Sequence, residues 1–433
     1  MINKEKIEKI QELFKKYNID GFVNIITNKT KKLEYGRFLD EMGVSENVLT
    51  TTSMTIFKDN RKSKIATDGF NLEKLEELLK KSLKFIDYSE QDENNRMPYI
   101  TDSVQKDFRN IELNKLDFEY FKLQFNILKN YKFNEQIRFE DFSFGTNEVE
   151  HYYINSLGSV KCQQDNSNNM MCSLVGQNGE IQDEEYLYRI SKEPLSLDNE
   201  IILEYEKTLL DKINPKKNLI ASGEYTVTLD KDVVSDFISL LLGNFNAEAI
   251  KENISLLSKY KLGEKIFSDK MTLISTPKLE NSIGNSLFDG EGVTLKENIL
   301  IKTGEFNSKF YNYKNALIEG GDNLENNDKL GLSSACDIII DAEKTDNFLE
   351  KSKFLFTNLM AFHTVDSNTG KFALNGEGYL IENGQKTAYF KNISLAGNIK
   401  DIFTNIEAIG SDDDNFSNIH APSITINNAQ IIA

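Results

Sequence analysis

Apolar residues first recur at helical spacing at Ile7, Ile10, Leu13 and Phe14, which predicts an amphipathic helix over 4–17. Period-two runs then predict strands at 21–27, 33–37, 48–57 and 63–67, with Asp59-Asn60 turning the last pair. Asn71 stands where an N-cap belongs, ahead of Leu72, Leu75, Leu78, Leu79 and Leu83, so a second helix is expected as far as Ile86. Helix, strands and helix make an α+β unit. The polar stretch 88–97 reads as a linker that closes an N-terminal domain of residues 1–97.

A phenylalanine-rich helix is expected over 116–131, then short strands at 137–144, 149–155, 160–164, 170–175 and 185–190, with 163–169 as a polar loop among them. Strands this short and close suggest an antiparallel meander. A helix over 198–213, stopped by Pro215, ends a central domain of residues 98–217. The remaining domain, 218–433, opens with a strand at 224–229, an Asp230 N-cap, and helices over 233–242 and 247–260. After that it is mostly strand: 271–276, 297–302, 305–311, 337–340, 372–381, 386–395, 406–409 and 423–426, interrupted by one helix over 346–362. The fold class expected is α+β, an N-terminal α+β region with an antiparallel sheet and a large C-terminal domain rich in antiparallel β-structure.

One stretch is specified more sharply than the rest. The strand from Gly378 turns at Asn383-Gly384, a dipeptide suited to the positive φ angles of a type I′ hairpin. The returning strand breaks at Ala396-Gly397-Asn398, where Gly397 and Asn398 read as positive-φ positions, and Ile399, Ile402, Phe403 and Ile406 then take up helical spacing.

Composition narrows the class. The 39% hydrophobic and 27% charged fractions are those of an ordinary globular protein. No apolar run approaches the ~20 residues of a membrane span, and the first residues lack the apolar centre of a signal peptide. A cytoplasmic location without membrane contact is expected. The net charge of −17, from 68 acidic and 51 basic residues, repels phosphate backbones and argues against direct nucleic-acid binding. Cys162, Cys172 and Cys336 are too few and too scattered for a disulfide framework, and Cys336 precedes an apolar strand as a core residue would.

Candidate chemistry is sparse. Phe288-Asp-Gly-Glu-Gly-Val293 sets Asp289 and Glu291 between glycines, and Gly292 allows the tight backbone that could aim both carboxylates at one substrate. The same pattern also makes a turn whose acids bind backbone amides, and the strand and turn that follow support that alternative. Asp412-Asp-Asp414 lacks the alternation of a calcium loop. Gly376-Glu-Gly378 lacks the third glycine and the lysine of a phosphate loop. The three histidines, His151, His363 and His420, stand far apart, so neither a catalytic nor a metal site is read from this chain.

Ile393-Ser-Leu-Ala-Gly-Asn-Ile-Lys-Asp-Ile-Phe403, preceded by its Asn-Gly hairpin, resembles the C-terminal signature of the TldD/PmbA family. The Phe288–Val293 motif and the ending Ala421-Pro-Ser-Ile-Thr-Ile426 are similar to two further signatures, closer to the PmbA (TldE) branch than to TldD. Thr294 stands where the family pattern usually has proline. The resemblance implies a chain that works beside a TldD-like subunit, which supplies zinc through an HExxxH helix. The pair would cleave unfolded or small peptides, and the family has been described as modulating DNA gyrase. The helix matching the zinc helix, 233–242, reads VVSDFISLLL and has neither histidine nor glutamate, so those ligands do not carry over. No cofactor is expected in this chain. The expectation is a non-catalytic partner subunit, with Asp289, Glu291, Gly292, Gly397 and Asn398 as candidates for a peptide cleft or an interface. The alternatives are a homodimeric peptide-binding or regulatory protein that acts without TldD, and a hydrolase using Asp289 and Glu291.

Overall fold

The computed structural model describes residues 2–36, 42–215, 220–321, 324, 327–333, 336–413 and 416–433. Arg37, the expected domain boundary at 217 and Asp414 lie outside the described residues.

The first half is built on one sheet. Helix α1 (Lys4–Tyr17) leads into strands β1 (Asp20–Gly36), β2 (Gly43–Lys58) and β3 (Arg61–Asp68), then α2 (Leu72–Phe85). Asn71 caps α2 by accepting from Glu73 N, and Leu75 and Leu79 bury against Ile10, Val23 and Ile56. After a connecting segment come β4 (Val104–Asp107), α3 (Phe118–Asn130), β5 (Ile137–Asn155), β6 (Val160–Asn178), β7 (Ile181–Ser191) and α4 (Asn199–Ile213). The strand order is β3-β2-β1-β5-β6-β4, and β7 shares the outer edge of β6 with β4. β1 pairs with β2 on one side and with β5 on the other, Phe22 opposite Asn155. Residues on both sides of position 97 therefore share a single sheet, where the local pattern suggests two units. Long-range strand pairing leaves no mark on local periodicity.

Three pairs of short strands expected from the pattern are continuous. The 163–169 stretch, expected as a polar loop, is the middle of β6. Its polarity has a packing cause. Asn168, fully buried, donates from Nδ2 to the Ser191 and Glu193 carbonyls and accepts at Oδ1 from Leu195 N. Asn166 exchanges hydrogen bonds with the Asn110 main chain. These amides fasten neighbouring segments to the strand, since a buried polar group must find a partner.

The second half holds β8 (Gly223–Leu229), α5 (Lys231–Gly243), α6 (Ala247–Lys251), β9 (Thr272–Thr276), β10 (Asn298–Lys302), β11 (Glu305–Phe306), α7 (Tyr313–Gly320), β12 (Asp337–Asp341) and β13 (Phe354–Leu359). It ends with β14 (Lys371–Glu382), β15 (Gln385–Asn398), α8 (Ile399–Thr404), β16 (Ile406–Ile409), β17 (Ile419–His420) and β18 (Ile424–Ile432). One sheet runs β11-β10-β9-β12-β17. The other runs β15-β14-β13-β8-β18-β16 and closes on itself where β15 also pairs with β18. α5 and α8 bury against both sheets in the largest apolar core. The class is α+β, as expected.

Four local expectations fail in this half. The helix expected over 346–362 is instead turn and strand. Phe354–Phe356 pairs in parallel with β8 and antiparallel with β14, and tertiary pairing overrides local spacing. The helix expected over 247–260 stops at Lys251, because Asn244 captures Ser255 and Leu256 N and Asn253 turns at φ 60°. The strand expected over 305–311 shrinks to Glu305–Phe306 ahead of an unforeseen α7. Gly397 is extended, paired with Phe372 inside β15, and is absent from the positive-φ residues, while Asn398 caps α8 at φ −132°. The hairpin tip is as expected, with Asn383 at φ 51° and Gly384 at φ 74°.

Candidate functional site

The turn Phe288–Val293 lies on the joint between the two halves. Phe288 enters an aromatic cluster with Phe22, Phe57 and Tyr153 of the first sheet. The Gly290 carbonyl accepts from Asn24 Nδ2 at 2.8 Å, and Asn24 Oδ1 meets His151 Nε2 at 2.8 Å. Gly292 sits at φ +80°, and a Cβ there would lie 2.3 Å from Tyr153 Cζ. Tyr153 is fully buried, so only glycine lets the turn reach the sheet.

Both acids of the turn are engaged within the protein. Asp289 is buried. Its Oδ1 accepts from Glu291 N at 2.8 Å and Val293 N at 3.0 Å, and its Oδ2 accepts from Ser333 Oγ. Burial pushes its carboxyl pKa up, partly offset by the Ser333 hydrogen bond. Glu291 Oε1 takes Lys62 Nζ at 2.9 Å, and Oε2 takes Tyr313 N at 2.8 Å in the first turn of α7. Glu291 thereby adds a carboxylate to the helix N-terminus already capped by Asn312. All four carboxylate oxygens are occupied by protein donors. This is the chemistry of a joint. A general acid–base pair needs an oxygen turned towards substrate.

Residues not singled out in the sequence complete the joint. Lys161, 1% exposed, pairs with Asp102 at 2.9 Å and donates to Thr294 Oγ1 at 3.0 Å, so the departure from the family's proline is a polar contact between the halves. Gln163 of β6 accepts from Leu287 N and reaches Ser286. Burial lowers the pKa of His151 to about 4, which keeps its ring neutral against Phe288. A lysine flanked by Val160 and Cys162 in a strand is the one sequence signal that points here.

Gly397 and Asn398 belong elsewhere. They line a cavity of about 820 Å³ with Lys259, Tyr260 and Lys400. Asn398 spends its amide on Lys400 N and the Thr369 carbonyl. A third polar centre, Ser282–Asp337–His420, is buried; Ser282 Oγ and Gly284 N donate to Asp337 Oδ1, and His420 Nε2 stands 3.4 Å from it.

α5, the helix matched above to a zinc helix, turns Val233, Val234, Phe237, Ile238 and Leu241 into the core. Among the described residues no three of His, Cys, Asp and Glu gather as a metal ion requires. The donor set of the described residues does not fit a zinc centre. No helix among these residues is long and apolar enough to cross a membrane.

Residues 222–433 match the family model described as the PmbA/TldA metallopeptidase C-terminal domain. Over 194 residues the chain is 27% identical to a metalloprotease of Methanocaldococcus jannaschii, a match covering 42% of this chain and 42% of that protein. The chain thus spans less than half the length of that curated relative. A solved structure of a proposed modulator of DNA gyrase from Bacteroides thetaiotaomicron is similar at TM-score 0.87 and 22% identity, over 100% of this chain and 99% of that one. TldE from Thermococcus kodakarensis is similar at TM-score 0.79 and 20% identity, over 99% of this chain and 100% of that one. At these identities the likeness is one of fold.

Proposed function

We propose that this chain, which belongs to the PmbA/TldD family through residues 222–433, is the non-catalytic, TldE-like subunit of a cytoplasmic zinc metallopeptidase acting on unfolded or small peptides. The observation that carries the reading is α5. Where a TldD-like subunit would present two histidines and a glutamate, this helix presents valine, phenylalanine, isoleucine and leucine, all buried. A zinc-bound water needs protein ligands and a nearby carboxylate base, and those would come from the partner. This chain would contribute walls and contacts that enclose the peptide. Asp289 and Glu291 would act by fixing the joint that shapes those walls, and Gly397 and Asn398 by shaping the surface beside α8.

The test is co-expression with a TldD-like protein that keeps its HExxxH helix. The expected result is co-purification, zinc in the complex, and chelator-sensitive cleavage of an unfolded peptide by the complex alone. One zinc per chain and chelator-sensitive cleavage by this chain without a partner would overturn the reading. So would recovery of the chain only as a self-dimer, with the TldD-like protein left unbound.

A further inference from the structure

A cavity of about 770 Å³ opens between the segment after β4 and the loop that precedes the 288–293 turn. Among the described residues Lys106, Arg109, Lys192 and Lys278 line it, with Glu280 as the one acidic side chain. Two of these cations are answered. Arg109 holds Asp107 through two hydrogen bonds, and buried Lys192 pairs with Asp165 at 2.6 Å. Lys106 and Lys278 meet no carboxylate among the described residues, and Lys106 lies only over the Phe108 ring. The side chains that line the cavity are thus four cations against one carboxylate in a chain of net charge −17, with Asp107, Glu148 and Glu150 acting on Arg109 and Asp165 on Lys192. Acidic groups more than about 8 Å away are largely screened at physiological salt.

The walls are set before any ligand arrives. On one side Asn110 bonds Asn166 and the Lys192 carbonyl, and Lys192 Nζ reaches the Phe108 carbonyl. On the other, Asn285 accepts from Leu279 N and donates to the Leu279 and Ser282 carbonyls, while Asp337 anchors Ser282 and Gly284. The buried Ser282–Asp337–His420 centre thus serves as the anchor of this loop. The same cavity is lined by apolar surface from Phe108, Leu279, Leu287 and Ile111, the last 70% exposed. A simple anion would leave that surface in water.

We propose that this cavity binds the acidic end of an extended peptide, with carboxylates held by Lys106 and Lys278 and an apolar side chain resting on Ile111 and Leu279. The ligand class rests on the peptide-handling reading above, whereas the place and the charge preference come from the cavity. Pre-formed walls with a few placed polar groups are what a small-ligand site requires.

The probes are three fluorescein-labelled ten-residue peptides sharing two leucines: one with a free C-terminal carboxylate and neutral side chains, one amidated with two glutamates, and one amidated with two glutamines. Binding to the purified full chain is read by anisotropy. At least one of the two acidic peptides should bind roughly tenfold more tightly than the glutamine peptide, which is about 1.4 kcal/mol. Which of them does so identifies the carboxylate as terminal or side-chain. Lys106→Glu with Lys278→Glu should abolish the preference with circular dichroism unchanged, while Lys259→Glu in the other cavity should keep it. Equal binding of all three peptides, a preference that survives the double reversal, or displacement by inorganic phosphate at peptide-like concentrations would overturn the proposal. Acid preference without capture of a TldD-like subunit upholds the site and sinks the subunit reading; capture without preference does the reverse.

Discussion

Two neighbouring stretches of one loop treat charge in opposite ways. From Phe288 to Val293 the carboxylates of Asp289 and Glu291 are all bonded inward, to amides, Ser333 and Lys62. Ten residues upstream of Phe288, Lys278 lines an open cavity together with Lys106, and neither has an acidic partner among the described residues. A motif's residue types therefore say less than the partners it finds. The Gly-flanked acid pair has the look of catalysis in sequence and serves as a clasp in space. The lysines carry no motif, yet they hold the unpaired charge.

The sharpest way to break this contrast is Gly292→Val. The turn needs φ +80°, which costs a residue bearing a Cβ about 1–2 kcal/mol and a β-branched one more. The added atom would also strike the buried Tyr153 ring, and overpacking typically adds about 1–3 kcal/mol. Together these lead us to expect a loss of about 3 kcal/mol or more, measured by urea denaturation, with the joint opening first. A variant within about 0.5 kcal/mol of wild type, the usual range of surface substitutions, would show that the clasp does not bind the halves together.

Much of the fold was legible before the structure. α1, α2, α4, α5 and the Asn383-Gly384 hairpin follow from spacing and caps, because those signals are local. What failed depends on distant partners. Gln163–Asn169 reads as a loop because its amides satisfy Asn110, Ser191, Leu195 and Leu287, none adjacent in sequence. Phe354–Phe356 has a helix-compatible pattern and becomes a strand only beside β8. The candidate site was legible as a motif at 288–293 but not as a joint, since Asn24, His151 and Tyr153 belong to strands with no distinguishing pattern of their own, and Lys161 between Val160 and Cys162 marks a buried charge without naming its partner.

His151 offers a subtler test of the same joint. Burial holds its folded-state pKa near 4, below the ordinary histidine value of 6.5. The unfolded chain therefore takes up a proton that the folded chain refuses, and stability is lost as pH falls from 6.5 towards 4. Between pH 7.5 and 5.0 this group should cost the wild type about 2 kcal/mol, at 1.36 kcal/mol per pK unit. His151→Asn should lose that much less over the same interval. Asp165 and Asp230, each raised to about 6 by burial, act in the opposite sense but equally in both proteins. Parallel pH profiles for wild type and variant would mean that His151 takes up its proton in the fold as readily as in the unfolded chain and is not held neutral in the joint.

The smallest expected effect belongs to Gly397→Val, the counterpart of Gly292→Val. Sequence spacing suggests a left-handed glycine here, whose replacement would misdirect α8. In the fold Gly397 is extended within β15, and a Cβ would meet only Phe372 at 3.4 Å, an ordinary contact. Valine suits a strand, and its backbone entropy in the unfolded chain is lower than that of glycine. The second methyl must still find room beside Phe372 and the cavity that Gly397 lines. The balance should fall within about 0.5 kcal/mol of wild type, with circular dichroism and urea midpoint unchanged. A loss comparable to that of Gly292→Val would mean that the β15–α8 junction carries strain of its own. The contrast between a glycine required by close approach and one merely tolerated in a strand would then fail.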